Sequence, residues 1–193
     1  MSLHTPITTK WLDMMKQLQS EYLGVVIDLG IFCYRHPRVA TAYFKALGLS
    51  DPVAAKVNEL YSRHGDVRRL YGVNAADDDY FPPELSELFT NQTDRDYAFF
   101  AGGYENTPLE VFDEYIDYLK HIHAKFYEML DDGSEYSIDY PAIITKLNQL
   151  GYDNYLSSEY EGQRFVPLDE PIEDLEPLRR HQAMLAAHIN DGK

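Results

Sequence analysis

Short strand-like stretches alternate with longer helical stretches along this chain. Residues 25–27 are a β-branched run that ends in Asp28 and lies between glycines, which is typical of a buried strand of a parallel sheet. Residues 119–129 alternate between polar and apolar side chains, and residues 153–162 form a third strand-like stretch. Helical patterns lie before and between these strands. The alternation predicts an α/β fold with parallel βα units.

The helical pattern is clearest in the first and last thirds of the chain. Apolar residues recur at helical spacing from Thr8, and further helices are predicted after Pro37 and over 51–72, 107–121, 137–152 and 171–190. The stretch 73–108 has an Asp triplet, a Pro pair and a Gly pair. It predicts a long loop with one short helix over 83–89. We therefore expect one domain over 1–193, with an insertion over about 44–106.

The alternating stretch 119–129 places different chemistry on the two faces of its strand. His121, His123 and Lys125 fall on one face, whereas the residues between them are apolar. Burying imidazoles and an ammonium without partners costs roughly several kcal/mol. This face therefore meets either water or a group that needs ligands.

Each of the three predicted strands carries an ionisable residue on it or at its end. Asp28, His123 and Glu159 lie on successive strands, and sites in α/β folds form at the carboxyl ends of parallel strands. Carboxylate and imidazole groups are ligands for Mn²⁺, Mg²⁺, Co²⁺ or Zn²⁺. We expect Glu161 to point to the other face. Taken singly, Asp28 also fits a helix cap and His123 a hydrogen-bonded rim residue, so only the combination favours a metal site.

The amino-acid composition makes some classes of binding partner less favourable than others. The 193 residues carry a formal charge of −15, and the pI is about 4.7. This acidity argues against nucleic acid and against anionic membrane surfaces. Cys33 is the single cysteine, so no disulfide within the chain is possible. No signal peptide and no apolar run of membrane-spanning length are evident, and we expect a soluble cytoplasmic protein.

Three segments carry a resemblance to a known family. The stretches "VVIDLGIF", "HIHAKFYEM" and "GYDNYLSSEYEGQ" resemble the C-terminal half of the xylose isomerase-like TIM barrels, the sugar phosphate isomerase/epimerase superfamily. The resemblance implies a partial, half TIM barrel of parallel βα units with a long helical insertion. It also implies a divalent metal, most readily Mn²⁺, held by Asp28, His123 and Glu159. The implied activity is that of an isomerase or epimerase of carbohydrate metabolism.

The chain departs from the family pattern at its start. Relatives carry a glutamate ligand on their fifth strand, where this chain has Ser2. His4, two residues on, is retained, and the resemblance implies that His4 or Glu159 is the catalytic base. The insertion resembles that of the α-subunits of bacterial C-glycoside deglycosidases. Those proteins work with a small β-subunit and act on 3-oxo-glycosides. This second resemblance implies that the chain is alternatively a C-glycoside deglycosidase-like lyase.

Three further polar residues are expected to take part in the metal-dependent sugar reaction. Lys125 is expected to neutralise an enolate, although it also fits a simple ion pair with Glu159 or Asp28. Arg164 and His121 are expected to bind substrate, although either also fits a rim position. The expected partners are a sugar or glycoside, and either a second copy or a complementary chain, since exposed sheet edges invite pairing. The alternatives are a catalytically inactive half barrel that binds a partner, or a truncated fragment of a longer enzyme.

Overall fold

A parallel sheet of three strands lies at the centre of the protein. The computed structural model describes residues 3, 5–166, 171 and 173–191. The strands β1 (Val25–Asp28), β2 (Leu119–Phe126) and β3 (Tyr155–Tyr160) pair in the order β1-β2-β3, and both pairings are parallel. All three strands were predicted from the sequence, and the prediction of an α/β fold with parallel pairing is confirmed.

The described part of the chain also contains eight α-helices. They are α1 (Pro6–Leu18), α2 (Arg38–Ala46), α3 (Asp51–His64), α4 (Pro83–Ser86), α5 (Gln92–Ala101), α6 (Val111–Tyr115), α7 (Tyr140–Gln149) and α8 (Leu175–Asp191). Short 3₁₀ turns follow β1, α3, α6 and β3, at Leu29–Ile31, Arg68–Leu70, Ile116–Tyr118 and Gly162–Phe165. Within the described residues, no helix is long and apolar enough to cross a membrane.

The two faces of the sheet differ in what covers them. Ile27, Ile122 and Phe126 point to the helical layer and are almost completely buried. On the opposite face, the side chains of Val26 and Tyr155 are 55% and 80% exposed. Parallel sheets are normally covered on both faces. A sheet with one open face is compatible with the partial barrel predicted from the sequence.

Local sequence signals explain where the flanking helices begin and end. Thr5 caps α1 through a reciprocal pair of hydrogen bonds with Thr8, so the helix begins a little before the pattern that starts at Thr8. Asp139 caps α7 by accepting the N–H of Ala142. Gly151 follows α7 with a φ of +71°, a conformation that favours glycine. These signals set where α1 and α7 begin and where α7 ends.

The insertion is more helical than the sequence indicated. Residues 92–101 were predicted as loop, but they form α5. Asn91 caps this helix, and the buried Asp94 accepts hydrogen bonds from Ser50 and Thr90 on neighbouring segments. The predicted helix over 107–121 is also shorter than expected. It ends in a 3₁₀ turn because the chain must become extended at Leu119 to enter β2.

A buried histidine of α8 links the stability of this fold to pH. The ring of His181 stacks on Phe126 at 4.1 Å, and its Nδ1 lies 2.8 Å from the hydroxyl of Ser158. Burial lowers the pKa of His181 from 6.5 to about 4. His181 is therefore protonated below about pH 6.5 in the unfolded chain, but only below about pH 4 in the folded chain. Because the unfolded chain binds the proton more tightly, the stability of the fold falls as the pH is lowered.

We expect the His181→Phe variant to lose less stability on acidification than the wild type. From pH 7 to pH 5, the free energy of unfolding should fall by about 2 kcal/mol more in the wild type. Urea unfolding at both pH values measures this, because other titrating groups cancel in the difference. The His64→Gln variant, which removes an exposed imidazole, serves as the matched control. An equal pH dependence in His181→Phe and wild type would contradict the assignment.

Candidate active site

Strand register brings three predicted ligands together on the open face of the sheet. Asp28 of β1 pairs with His123 of β2. Glu159 of β3 lies opposite Lys125, two residues further along β2 and on the same face. One ligand atom from each of Asp28, His123 and Glu159 lies within 4.8 Å of the others. Each of the three side chains is partly exposed. The structure thus joins residues that are 95 and 36 positions apart in the sequence, from 28 to 123 and from 123 to 159.

The donor atoms of Asp28, His123 and Glu159 and their contacts can be compared with what a cation requires. Asp28 accepts the N–H of Gly30 through Oδ1 at 2.8 Å, and Nδ1 of His123 lies 3.4 Å from Oε2 of Glu159. That Oε2 is buried and has no hydrogen-bond partner among the described residues. A buried carboxylate oxygen without a donor is costly. The donor set and this orphaned oxygen together fit a divalent cation bound by Asp28, His123 and Glu159.

Lys125 lies next to this cluster and is paired with acids. Its Nζ is 2.9 Å from Oδ2 of Asp28 and 3.5 Å from Oε1 of Glu161, and its side chain is only 16% exposed. Burial acts to lower the pKa of Lys125, but the hydrogen bond and charge of Asp28, with Glu161 and Glu159, raise it overall. The ammonium is therefore charged and held at the edge of the cluster.

The position of Glu161 corrects one prediction. We expected this carboxylate on the other face of β3, but its contact with Lys125 places it on the same side as the cluster. Residues two apart in a strand share a face. Here the pairing continues one residue past β3, because the N–H of Glu161 donates to the carbonyl of Phe126. Glu161 also binds Arg164 at 2.8 Å.

A cavity of about 850 Å³ opens between the strand ends and the insertion. Asp28, Lys125, Glu161 and Arg164 line it from the sheet side. The insertion contributes Arg68, Glu105 and a wall of aromatic residues. The aromatic residues that line the cavity are Tyr71, Tyr80, Phe99, Phe100 and Tyr104 from the insertion and Tyr127, which follows β2. Large pockets with apolar walls and a few convergent charged groups are typical of small-molecule sites.

The other predicted site residues lie in different places. Arg164 lines the cavity and is ion-paired with Glu161, and its role in substrate binding stays a prediction. His121 pairs with Val26 of β1 and with Tyr155 of β3, and its ring lies 5.6 Å from that of His123. It does not line this cavity. His4 lies outside the described residues.

Sequence reasoning missed the contribution of the insertion to the cavity. Arg68 and Glu105 form an ion pair across the cavity wall, and Glu105 is almost completely buried. The two residues are 37 positions apart and belong to no recognisable motif. No sequence signal shows that this segment folds over the strand ends.

The fold and this cluster define an α/β protein with a candidate divalent-metal centre next to a large cavity. No family model matches the chain. It is 27% identical over 179 residues to the 3′-dehydrocarminate deglycosidase alpha subunit of a Microbacterium species, an alignment that covers 89% of this chain and 50% of that relative.

Two proteins named C-glycoside deglycosidase alpha subunit, both from Arthrobacter globiformis, are also similar. One is 38% identical over 85 residues, and the other is 28% identical over 92 residues. These alignments cover 44% and 48% of this chain, and 24% and 25% of the relatives. The chain thus spans about half the length of the Microbacterium relative. The similarity supports the relation to deglycosidase α-subunits suspected from the insertion, whereas the xylose isomerase-like barrel stays a prediction.

Proposed function

We propose that this chain forms the metal-binding part of a deglycosidase-like enzyme that acts on glycosides whose sugar carries a carbonyl. The observation that carries the proposal is the cluster of Asp28, His123 and Glu159, of which Asp28 also lines the cavity of about 850 Å³. The similarity to relatives named for a dehydrocarminate and for C-glycosides supports the choice of substrate.

The cluster would hold a divalent cation, with Mn²⁺ as the first choice and Mg²⁺, Co²⁺ or Zn²⁺ as alternatives. Asp28, His123 and Glu159 are the ligands that we assign. When bound, such an ion supplies Lewis-acid polarisation of a sugar carbonyl or hydroxyl. The buried Oε2 of Glu159, which has no other donor among the described residues, is the strongest argument that a cation belongs there.

The chain's own groups supply the proton chemistry of the proposed reaction. A carbonyl at carbon 3 acidifies the hydrogen on carbon 2 of the sugar. Glu159 or His4 removes that proton as general base. The electron pair forms a double bond between carbons 1 and 2, the bond from carbon 1 to the aglycone breaks, and the aglycone carbon takes up a proton. The Lys125 ammonium, held by Asp28, stabilises the negative charge that develops at the carbonyl oxygen.

The cavity would orient the substrate for this step. Arg164 and Lys125 present cationic donors to sugar oxygens on the sheet side. The aromatic wall of the insertion, which includes Tyr80 and the 53% exposed Phe99, offers flat apolar surface on the other side. His121 is proposed to reach the substrate only from the open face of the sheet, because it does not line the cavity.

A complementary chain is part of the proposal. Val26 and Tyr155 leave apolar surface on the same sheet face as the metal ligands, and the ligands are themselves partly exposed. Exposed apolar surface of this kind marks an interaction site. A complementary chain that covers this face would exclude water from the cluster and complete its ligands. A second copy of this chain is the alternative occupant.

A binding protein without chemistry is the second candidate function. The pairing of Lys125 with Asp28 gives that carboxylate a partner without any metal, and the open face fits a protein that only binds another chain. Isomerisation or epimerisation of a free 3-oxo sugar is a further candidate reaction, because it needs the same proton removal next to a carbonyl. The two kinds of function differ in whether turnover is observed at all.

The test uses the full chain loaded with MnCl₂, alone and mixed with a candidate complementary chain. The probe is a 3-oxo aryl C-glucoside, and chromatography follows release of the aryl group. The proposal predicts release that requires Mn²⁺ and is abolished by EDTA. Conversion of free 3-oxo-glucose without aglycone release would favour the isomerase reading. Formation of the complex with no turnover of either compound would favour the binding protein.

A further inference from the structure

We propose that Glu161 is a positioning residue for Lys125. It holds the ammonium when a divalent cation occupies Asp28, and it thereby sets how tightly the cluster binds that cation. This inference rests on the proposed function because it needs a cation at Asp28, His123 and Glu159.

Lys125 and a cation at the cluster would share the same carboxylate. Oδ1 of Asp28 already accepts the N–H of Gly30, and Oδ2 is 2.9 Å from the Lys125 ammonium. A cation bound to Asp28 therefore meets a positive charge within a few ångströms, and like charges at this distance repel. Lys125 must weaken its contact with Asp28 for the cation to bind well.

Lys125 cannot simply swing into solvent. Its side chain is only 16% exposed, and its stem crosses Gly30 so closely that a Cβ there would lie 2.9 Å from the Cδ of the lysine. The hydroxyl of Tyr140 also binds the carbonyl of Lys125 and holds the backbone. The ammonium therefore needs a second acid within a small movement of its present position.

Glu161 is placed to be that second acid. Its Oε1 lies 3.5 Å from Nζ of Lys125, close enough for an ion pair but too long for a hydrogen bond between charged groups. A shift of the ammonium by a fraction of an ångström would shorten this contact. The other oxygen of Glu161 is held by Arg164 at 2.8 Å, and the side chain is only 16% exposed. Glu161 therefore stays in place and receives the lysine.

The test is a double-mutant cycle on metal affinity, measured by isothermal titration of the full chain with MnCl₂. Lys125→Met should tighten Mn²⁺ binding about tenfold, because it removes the competing ammonium. Glu161→Gln should weaken binding about five- to tenfold, because Lys125 then keeps Asp28 as its main acidic partner. In the Lys125→Met background, Glu161→Gln should change the affinity less than about twofold.

The double-mutant cycle distinguishes the positioning of Lys125 by Glu161 from a direct effect of the negative charge of Glu161 on Mn²⁺ affinity. If Glu161 acted only by its negative charge, the same loss would appear in both backgrounds, and the inference would be overturned. An unchanged or weaker affinity in Lys125→Met would also overturn it. Circular dichroism checks the fold, and Lys125→Gln serves as a second neutral variant. Absence of Mn²⁺ binding by the wild type would reject the metal site as well, whereas binding with additive effects would reject only the role of Glu161.

Discussion

Replacing His123 with alanine should remove both metal binding and turnover. Substitutions that only support a metal ligand typically cost about 10- to 100-fold in affinity or activity, so loss of the ligand itself should cost at least about 100-fold in Mn²⁺ affinity. Asp28 and Glu159 would then face each other without the imidazole between them. Under the proposed function, turnover should fall by about 10³-fold, since a bound cation would no longer polarise the sugar carbonyl.

Calorimetric titration with MnCl₂ measures the affinity, and aglycone release measures the turnover. His121→Ala is the matched control for metal binding, because it removes an imidazole from the same face of β2 whose ring lies 5.6 Å from His123. It should change the Mn²⁺ affinity by less than about threefold. Equal losses in the two variants would contradict a specific role of His123 as a metal ligand.

Replacing Glu135 with glutamine should cause the largest loss of stability. This buried carboxylate accepts four backbone N–H groups, two on each oxygen, from Tyr127, Glu128, Ser137 and Ile138. A glutamine amide places its own N–H₂ group against two of those donors. Leaving buried donors unsatisfied should lower the free energy of unfolding by about 2–4 kcal/mol.

The measurement is urea unfolding at pH 8. Burial raises the pKa of Glu135 to about 7, against the opposing effect of the four backbone N–H groups, so the carboxylate is mainly ionised at pH 8. Glu87→Gln makes the same chemical change at an exposed position and should alter stability by less than about 0.5 kcal/mol. If Glu135→Gln were as stable as Glu87→Gln, the buried carboxylate would not organise the turn between β2 and α7.

Local sequence patterns were sufficient to predict the elements that build the candidate site. The β-branched run before Asp28 and the alternation around His123 identified β1 and β2. A strand buried on both faces is a continuous apolar run, and a strand buried on one face alternates apolar with polar residues, so both patterns are visible in the sequence. Parallel pairing followed from the alternation of strands and helices. Once the strands were parallel neighbours, the meeting of Asp28, His123 and Glu159 followed from geometry.

The cavity could not be predicted in the same way. Its far wall comes from the insertion, where Tyr71 and Phe99 meet the strand ends only through tertiary packing. The helix α5 was missed because its apolar residues lie towards its C-terminal end, before the pair Gly102 and Gly103, while its first turns are polar. The cavity wall and α5 depend on contacts between distant segments, which periodicity does not report. The face of Glu161, in contrast, was predicted wrongly although the alternation was sufficient, since residues 159 and 161 are two apart within the predicted strand 153–162 and share a face.

Titration of the wild-type chain with Mn²⁺ after EDTA treatment tests the central claim most directly. The account predicts that the chain binds about one Mn²⁺ ion, measured by calorimetry and by elemental analysis of the desalted protein, and that Asp28→Asn and His123→Ala both weaken this binding. Mn²⁺ binding that is absent, or that persists unchanged in both variants, would contradict the assignment of Asp28, His123 and Glu159 as a metal centre.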